Sequence, residues 1–195
     1  MCIKKYSKIP RVNSKDRVVV TLTTIPERID KITATLNSLL DQTCSPDAIY
    51  LAIPKISRIT NQPYNIPKWL IDHPVIKILY SDKDYGPATK FIPVFLEEKS
   101  NPNTKIIVVD DDRVYGKSLI ELFCHWSDIL PDCAVCAGGI MFPTSEMPSY
   151  AYDKYKASEP TLSGYLVSVD VLLGTDGFLV KPKFFDHSLT CYESA

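Results

Sequence analysis

Residues 105–112 read Lys-Ile-Ile-Val-Val-Asp-Asp-Asp, and no other stretch restricts the fold of this chain so tightly. Four consecutive β-branched residues favour extended backbone, because their side chains are stiff and fit a pleated surface. A continuous apolar run without polar alternation fits a strand buried on both faces, as in a parallel sheet. This run ends in three adjacent carboxylates. In an open α/β sheet, ligands bind beyond the carboxyl ends of the strands, so the triplet stands where a ligand is expected. In extended backbone, residues i and i+2 point the same way. Asp110 and Asp112 are therefore expected to share a face, with Asp111 turned aside. Neighbouring carboxylates repel one another, and all three stay ionised in a dry site only beside a cation. Oxygen ligands favour Mg2+ or Mn2+, which take few carboxylates and complete their shell with phosphate oxygens. A solvated acidic turn at the start of the next helix is the alternative reading.

The surrounding elements alternate. Residues 18–22, Val-Val-Val-Thr-Leu, repeat the β-branched pattern. A turn then leads into helical spacing of Ile29, Ile32, Leu36, Leu39 and Leu40, with Pro26 near the first turn, where its missing N–H is harmless. Ile49, Leu51 and Ile53 alternate as a second strand, and residues 75–80 form a third. Between them, Pro54, Pro63, Pro67 and Pro74 predict an irregular excursion with at most a short helix near Trp69. Residues 81–87 read as a polar loop and 88–99 as a short helix disturbed by Pro93. Residues 118–130 read as a helix with Leu119, Leu122, Phe123 and Trp126 on its apolar face. After residue 138, Gly138-Gly139, Pro143 and Pro148 predict loops, followed by apolar segments at 165–173 and 178–180. Strands alternating with helices imply right-handed crossovers. The expected fold class is α/β, a mostly parallel Rossmann-like sheet flanked by helices, in one domain over residues 1–195.

The composition, 45% hydrophobic and 23% charged with a net charge of -1, suits a globular core and draws the chain toward neither nucleic acid nor an anionic membrane. No apolar run reaches bilayer length, and the first residues lack the apolar core of a secretory signal. A cytoplasmic protein with no transmembrane segment is expected, with peripheral membrane attachment left open. The six cysteines are too thinly spread for a disulfide framework, and Cys133-Ala134-Val135-Cys136 reads as a buried strand rather than a zinc or redox motif.

Three segments occur in order: RVVVTLTTIPERIDKITATLNSLLDQT, DYGPATKF and IIVVDDD. With them the chain resembles the GT-A glycosyltransferases, particularly those related to family 2. The likeness covers residues 16–130, which it marks as a nucleotide-sugar-binding half. Residues 131–195 would be an acceptor-side portion of a GT-A-like domain truncated at its C-terminus. The resemblance implies a nucleoside-diphosphate sugar donor, of UDP or GDP type, and D-x-D acids holding Mn2+ or Mg2+ against its diphosphate. The implied metal ligands are Asp110 and Asp112, with Asp112 the best direct ligand and Asp111 reaching the ribose or sugar. The loop after the first strand implies Thr23, Thr24, Pro26, Glu27 and Arg28 as nucleotide-pocket residues, Arg28 pairing with a carboxylate or the diphosphate.

In the second segment, Gly86 permits a backbone shape that other residues resist, and Pro87 fixes the next dihedral. The loop enters a helix whose amides can face an anion. Asp84 can accept from base or ribose, and Lys90 can neutralise phosphate. Gly174-Thr175-Asp176-Gly177 suits the acceptor and sugar side or forms a plain turn. An inverting enzyme also needs a carboxylate base. Asp176, Asp186 and Glu193 are the candidates for it, and the acceptor would be a glycan, a lipid or a protein. Two other readings remain: a catalytically silent nucleotide-sugar-binding module, and a phosphatase similar to the haloacid dehalogenases. In the latter, Asp110, Asp112 and Val114 would form the first motif and Asp110 would be the nucleophile.

Overall fold

The β-branched runs form the interior of one sheet. The computed structural model describes residues 16–141, 153–156, 168–186 and 189. Its strands are β1 (Val18–Leu22), β2 (Ala48–Pro54), β3 (Ile76–Ser81), β4 (Lys105–Val108), β5 (Val135–Cys136), β6 (Gly138–Met141), β7 (Asp153–Lys156), β8 (Val171–Leu172) and β9 (Phe178–Val180). The helices are α1 (Thr33–Leu40), α2 (Lys68–Ile71), α3 (Ile92–Glu98) and α4 (Leu119–Ile129). Six strands pair in the order β3-β2-β1-β4-β9-β5. The first four are parallel, and β9 runs antiparallel to both of its neighbours. The chain is therefore an α/β protein with a mixed, mostly parallel sheet, consistent with a Rossmann-like arrangement.

Both faces of the sheet are covered, which is why the strand sequences show so little polar alternation. Val18, Val20, Leu22, Ile49, Leu51, Ile53 and Ile107 pack with Leu36 and Leu39 of α1, Leu70 of α2 and Phe123 of α4. Val19, Tyr50, Ala52, Ile106 and Val108 face the other way, with Val94 of α3 and the rings of Phe91, Phe184 and Phe185. All seven residues of β2 are buried, so its apparent alternation marks two covered faces rather than one wet one.

Some expectations need correction. The apolar spacing from Ile29 marks burial, not a continuous helix. Ile29 and Ile32 are only 2% and 1% exposed, yet they sit in turns between a 3-10 turn at Pro26–Arg28 and α1. Residues 88–99 do not form one helix: a 3-10 turn at Gly86–Lys90 gives way at Phe91 to α3, and Pro93 lies in the first turn of α3, where no intrahelical donor is needed. Gly138 and Gly139 belong to β6, not to a loop, and β6 is the centre of a three-stranded antiparallel sheet, β7-β6-β8. A Cβ at Gly139 would stand 2.6 Å from Val169, so glycine here serves close packing within a strand. In the C-x-x-C segment, Val135–Cys136 is a strand as expected. Cys133 is exposed, Cys136 is half-buried, and neither is disulfide-bonded.

Charged groups are buried at the amino end of the central strands. Glu98, 3% exposed, accepts from Arg17 Nε at 2.9 Å, Tyr50 Oη at 2.9 Å and Thr104 Oγ1 at 3.3 Å. Lys105 is fully buried and paired with Asp128. Among the described residues, no helix is long and apolar enough to cross a membrane.

Candidate functional site

Thr21 of β1 pairs with Val108 of β4, so the chain leaves both strands at the same level. The neighbours β2 and β4 lie on opposite sides of β1, and the connections diverge there, as at the switch point where α/β sheets open a crevice. A cleft of about 310 Å3 opens at this position. Three chain segments that lie far apart in sequence line it: Thr23, Thr24, Ile25 and Arg28 after β1; Asp84, Gly86, Pro87 and Lys90 after β3; and Asp110, Asp111 and Asp112 after β4.

The acidic triplet does not alternate as an extended strand would. Strand β4 ends at Val108, and the backbone is already turning at Asp111 and Asp112. Tyr115 Oη accepts from the Asp110 amide at 2.8 Å, and Thr35 Oγ1 donates to the Asp111 carbonyl at 2.7 Å. All three side chains therefore line one cleft, and Asp111 is the deepest rather than the one turned aside. Its carboxylate accepts from Thr24 Oγ1 at 2.5 Å and meets Arg28 Nη2 at 3.1 Å. Arg28 Nη1 lies 3.3 Å from Asp112 Oδ2, and Lys90 Nζ lies 2.5 Å from Asp110 Oδ1. Three carboxylates thus interleave with two cations. Asp112 is the outermost, with a side chain 60% exposed against 6% for Asp111.

The segment after β3 is organised by Asp84. Its Oδ1 accepts from the Gly86 amide at 2.7 Å and its Oδ2 from the Arg58 amide at 2.8 Å. Gly86 adopts φ 61, the left-handed conformation that glycine tolerates best. The Tyr85 amide donates to Thr89 Oγ1 at 2.9 Å. Amides expected to face an anion are thus taken up internally, and Asp84 acts first as the clamp of its own turn. Thr21 Oγ1 donates to the Lys90 carbonyl at 2.6 Å and ties this segment to β1.

Pro54, Ser57, Ile59 and Tyr64 form a further wall that the sequence did not disclose. Pro54 ends β2, and the other three come from the proline-rich excursion that follows it, whose approach to β1 is tertiary. With Ile25 and Pro87, the side chains of Pro54, Ile59 and Tyr64 add apolar lining to a cleft that also holds charged groups. Tyr64 Oη donates to the Thr24 carbonyl at 2.9 Å. Burial first, and then the nearby Asp84 charge, push its phenol up to about 12. Burial likewise raises Tyr115. Raised folded values mean that this contribution to stability is whole below about pH 10, the unfolded tyrosine value, and is lost as pH climbs toward the folded values. Tyrosinate absorbance should show a fraction of tyrosines titrating late, together with loss of circular dichroism. Normal titration of all tyrosines in the folded protein would contradict this.

The remaining expected site residues divide. Pro26 and exposed Glu27 lie in the 3-10 turn that carries Arg28, outside the cleft lining. Gly174 is adjacent: a Cβ there would stand 3.1 Å from Lys90 Nζ. Gly177, at φ 90, closes the turn against Phe123 and the Val108 carbonyl. The turn reaches the triplet through Tyr115 Oη, 3.5 Å from the Thr175 carbonyl. Asp176 is in this turn and Asp186 is exposed after the 3-10 turn Pro182–Phe184, and neither lines the cleft. Glu193 lies outside the described residues. Among the described residues, no three His, Cys, Asp or Glu side chains converge as a metal-binding group.

Fold and site together define an α/β protein with a charged crevice at the reversal point of its sheet. No family model matches the chain, and no curated protein matches it.

Proposed function

We propose that the chain is the donor-binding domain of a GT-A-type glycosyltransferase that takes a nucleoside-diphosphate sugar, of UDP or GDP type, with Mn2+ or Mg2+. The observation that carries this reading is one cleft at the sheet's reversal point that brings Ile25, Ile59, Tyr64 and Pro87 together with Arg28, Lys90 and the acidic triplet. A nucleotide diphosphate joins a flat base to anionic oxygens and calls for both kinds of lining. Strand order β3-β2-β1-β4, with the acids at the end of β4, supports the same reading.

The donor set suits a divalent ion. Asp110 and Asp112 offer hard oxygens in one cleft, and two carboxylates are what such an ion takes when phosphate oxygens complete its shell. When bound, the ion supplies positive charge to the leaving diphosphate. The chain's own residues do the rest. Lys90 and Arg28 supply charge-assisted donors to phosphate oxygens. Thr24 and Asp111 fix the β1 loop, and Tyr64 supplies an aromatic side chain to the lining.

Calorimetry with UDP and GDP, with and without Mn2+, tests the reading. Metal-dependent binding is expected, and Asp112→Ala should weaken it by about 100-fold, the upper range for lost metal-site interactions. Asp112 is exposed, so this variant should melt like the parent. Nucleotide binding that ignores both Mn2+ and Asp112 would contradict the metal role, and no binding would contradict the reading itself. A silent binding module is the second reading, favoured because neither Asp176 nor Asp186 lines the cleft. It predicts binding without donor hydrolysis or transfer. Hydrolysis of a generic phosphoester, lost in Asp110→Asn, would instead indicate phosphatase chemistry.

A further inference from the structure

The cleft meets its own acids with its own bases. Asp110, Asp111 and Asp112 are countered by Lys90 and Arg28, and Asp84 also lines the cleft, which leaves two negative charges in excess. A divalent cation arriving alone must approach carboxylates already held by an ammonium and a guanidinium, which repel it. A diphosphate arriving alone meets four carboxylates. Arriving together, the two ligands can exchange partners with the pairs already present.

The two internal pairs are not equally secure. Lys90 and Asp110 have side chains 16% and 26% exposed. Arg28 and Asp112 are 40% and 60% exposed, and their contact is a single one at 3.3 Å rather than a bidentate fork. Exposed ion pairs of this kind contribute little stability. Arg28 Nε is also buried without a hydrogen-bond partner, so the guanidinium is incompletely satisfied where it stands. If Arg28 leaves, Asp111 keeps the Thr24 hydroxyl. The planar fork of arginine suits phosphate oxygens better than this split grip on two carboxylates.

We propose that Arg28 is the internal stand-in for the cation. It holds Asp111 and Asp112 while the cleft is empty of ligand, yields Asp112 to a divalent ion, and transfers to the phosphates of the incoming nucleotide. Cation and nucleotide then bind as a coupled pair, each poorly without the other. This rests on the nucleotide-sugar reading above and adds the residue that couples the two ligands.

The test measures MnCl2 alone, UDP and GDP alone, and each in the presence of the other, by calorimetry and by electron paramagnetic resonance of unbound Mn2+. In the parent protein each ligand should tighten the other by about tenfold or more, within the usual range of coupling between sites. In Arg28→Gln, Mn2+ alone should bind about tenfold more tightly than in the parent, while the nucleotide at saturating Mn2+ should bind about tenfold less tightly, so that the coupling disappears. Arg28→Lys, which keeps the charge but not the fork, should retain weak binding of Mn2+ alone and still lose nucleotide affinity. Circular dichroism establishes that each variant is folded. If Arg28→Gln weakens Mn2+ alone or leaves it unchanged, Arg28 does not compete with the cation and the proposal falls, while the nucleotide-sugar reading stands. If the parent binds neither nucleotide with Mn2+, both fall.

Discussion

Replacing Glu98 by alanine is expected to lower the unfolding free energy by about 3 kcal/mol, near the lower end for breaking a buried ion pair. The lower end applies because Arg17 is 35% exposed and regains water when its partner is lost. The buried Tyr50 hydroxyl and Thr104 hydroxyl do not, and each loses an acceptor. Glu98 ends α3, Arg17 precedes β1, Tyr50 lies in β2 and Thr104 precedes β4, so one carboxylate joins four elements. Urea unfolding should show a lower midpoint at unchanged slope. Glu98→Gln should recover only part of the loss, since an amide brings two donors toward groups that themselves donate. Ligand affinity of the folded fraction should not change, because the cleft is at the other end of the strands. A variant as stable as the parent would show that the cluster contributes nothing net.

Asp111→Ala should cost about 2–3 kcal/mol, the range for hydrogen bonds to a buried charged group, and should also disorder the ligand site. The carboxylate joins the loop after β1 to the end of β4 through Thr24 and Arg28. Without it the Thr24 hydroxyl, itself buried, loses its acceptor, and Arg28 retains only Asp112. Asp111→Asn separates the two roles. It keeps an oxygen for Thr24 but not the charge for Arg28, so it should lose about 1 kcal/mol while still altering the electrostatics of the cleft. Chemical denaturation of the pair, set beside calorimetry with nucleotide and Mn2+, distinguishes them. Equal loss of stability in both variants would mean that the charge, not the hydroxyl contact, holds the loop.

The sheet was legible because its strands β1, β2 and β4 are buried on both faces, and four β-branched residues in a row have few other uses. The segments meeting at the cleft could be read from Thr24, Asp84 and Asp110, since each follows a strand and parallel strands bring such ends together. The details were not legible. The alternation rule placed Asp111 away from its neighbours, but it applies only while backbone stays extended, and the strand ends at Val108. Asp84 lines the cleft, but its oxygens also accept from the amides of Gly86 and Arg58, and no local pattern announces a contact to residue 58. Tyr64 and Ile59 were lost in a proline-rich stretch whose path is set by tertiary packing. Glu98 looked like an ordinary charge at a helix end. Helical spacing from Ile29 recorded which side faces the core, which turns satisfy as well as a helix does.

The short antiparallel strand β9 closes the outer edge of β4, although it comes from far along the chain. That connection is not free chain: it carries α4, which packs on the sheet through Phe123, and β5, which pairs with β9 on its far side. With β1 on one side and β9 on the other, β4 has no open edge, and its backbone groups are closed to pairing with a second chain. The strand that ends in the acidic triplet is thereby kept from the sticky fate of an unpaired strand.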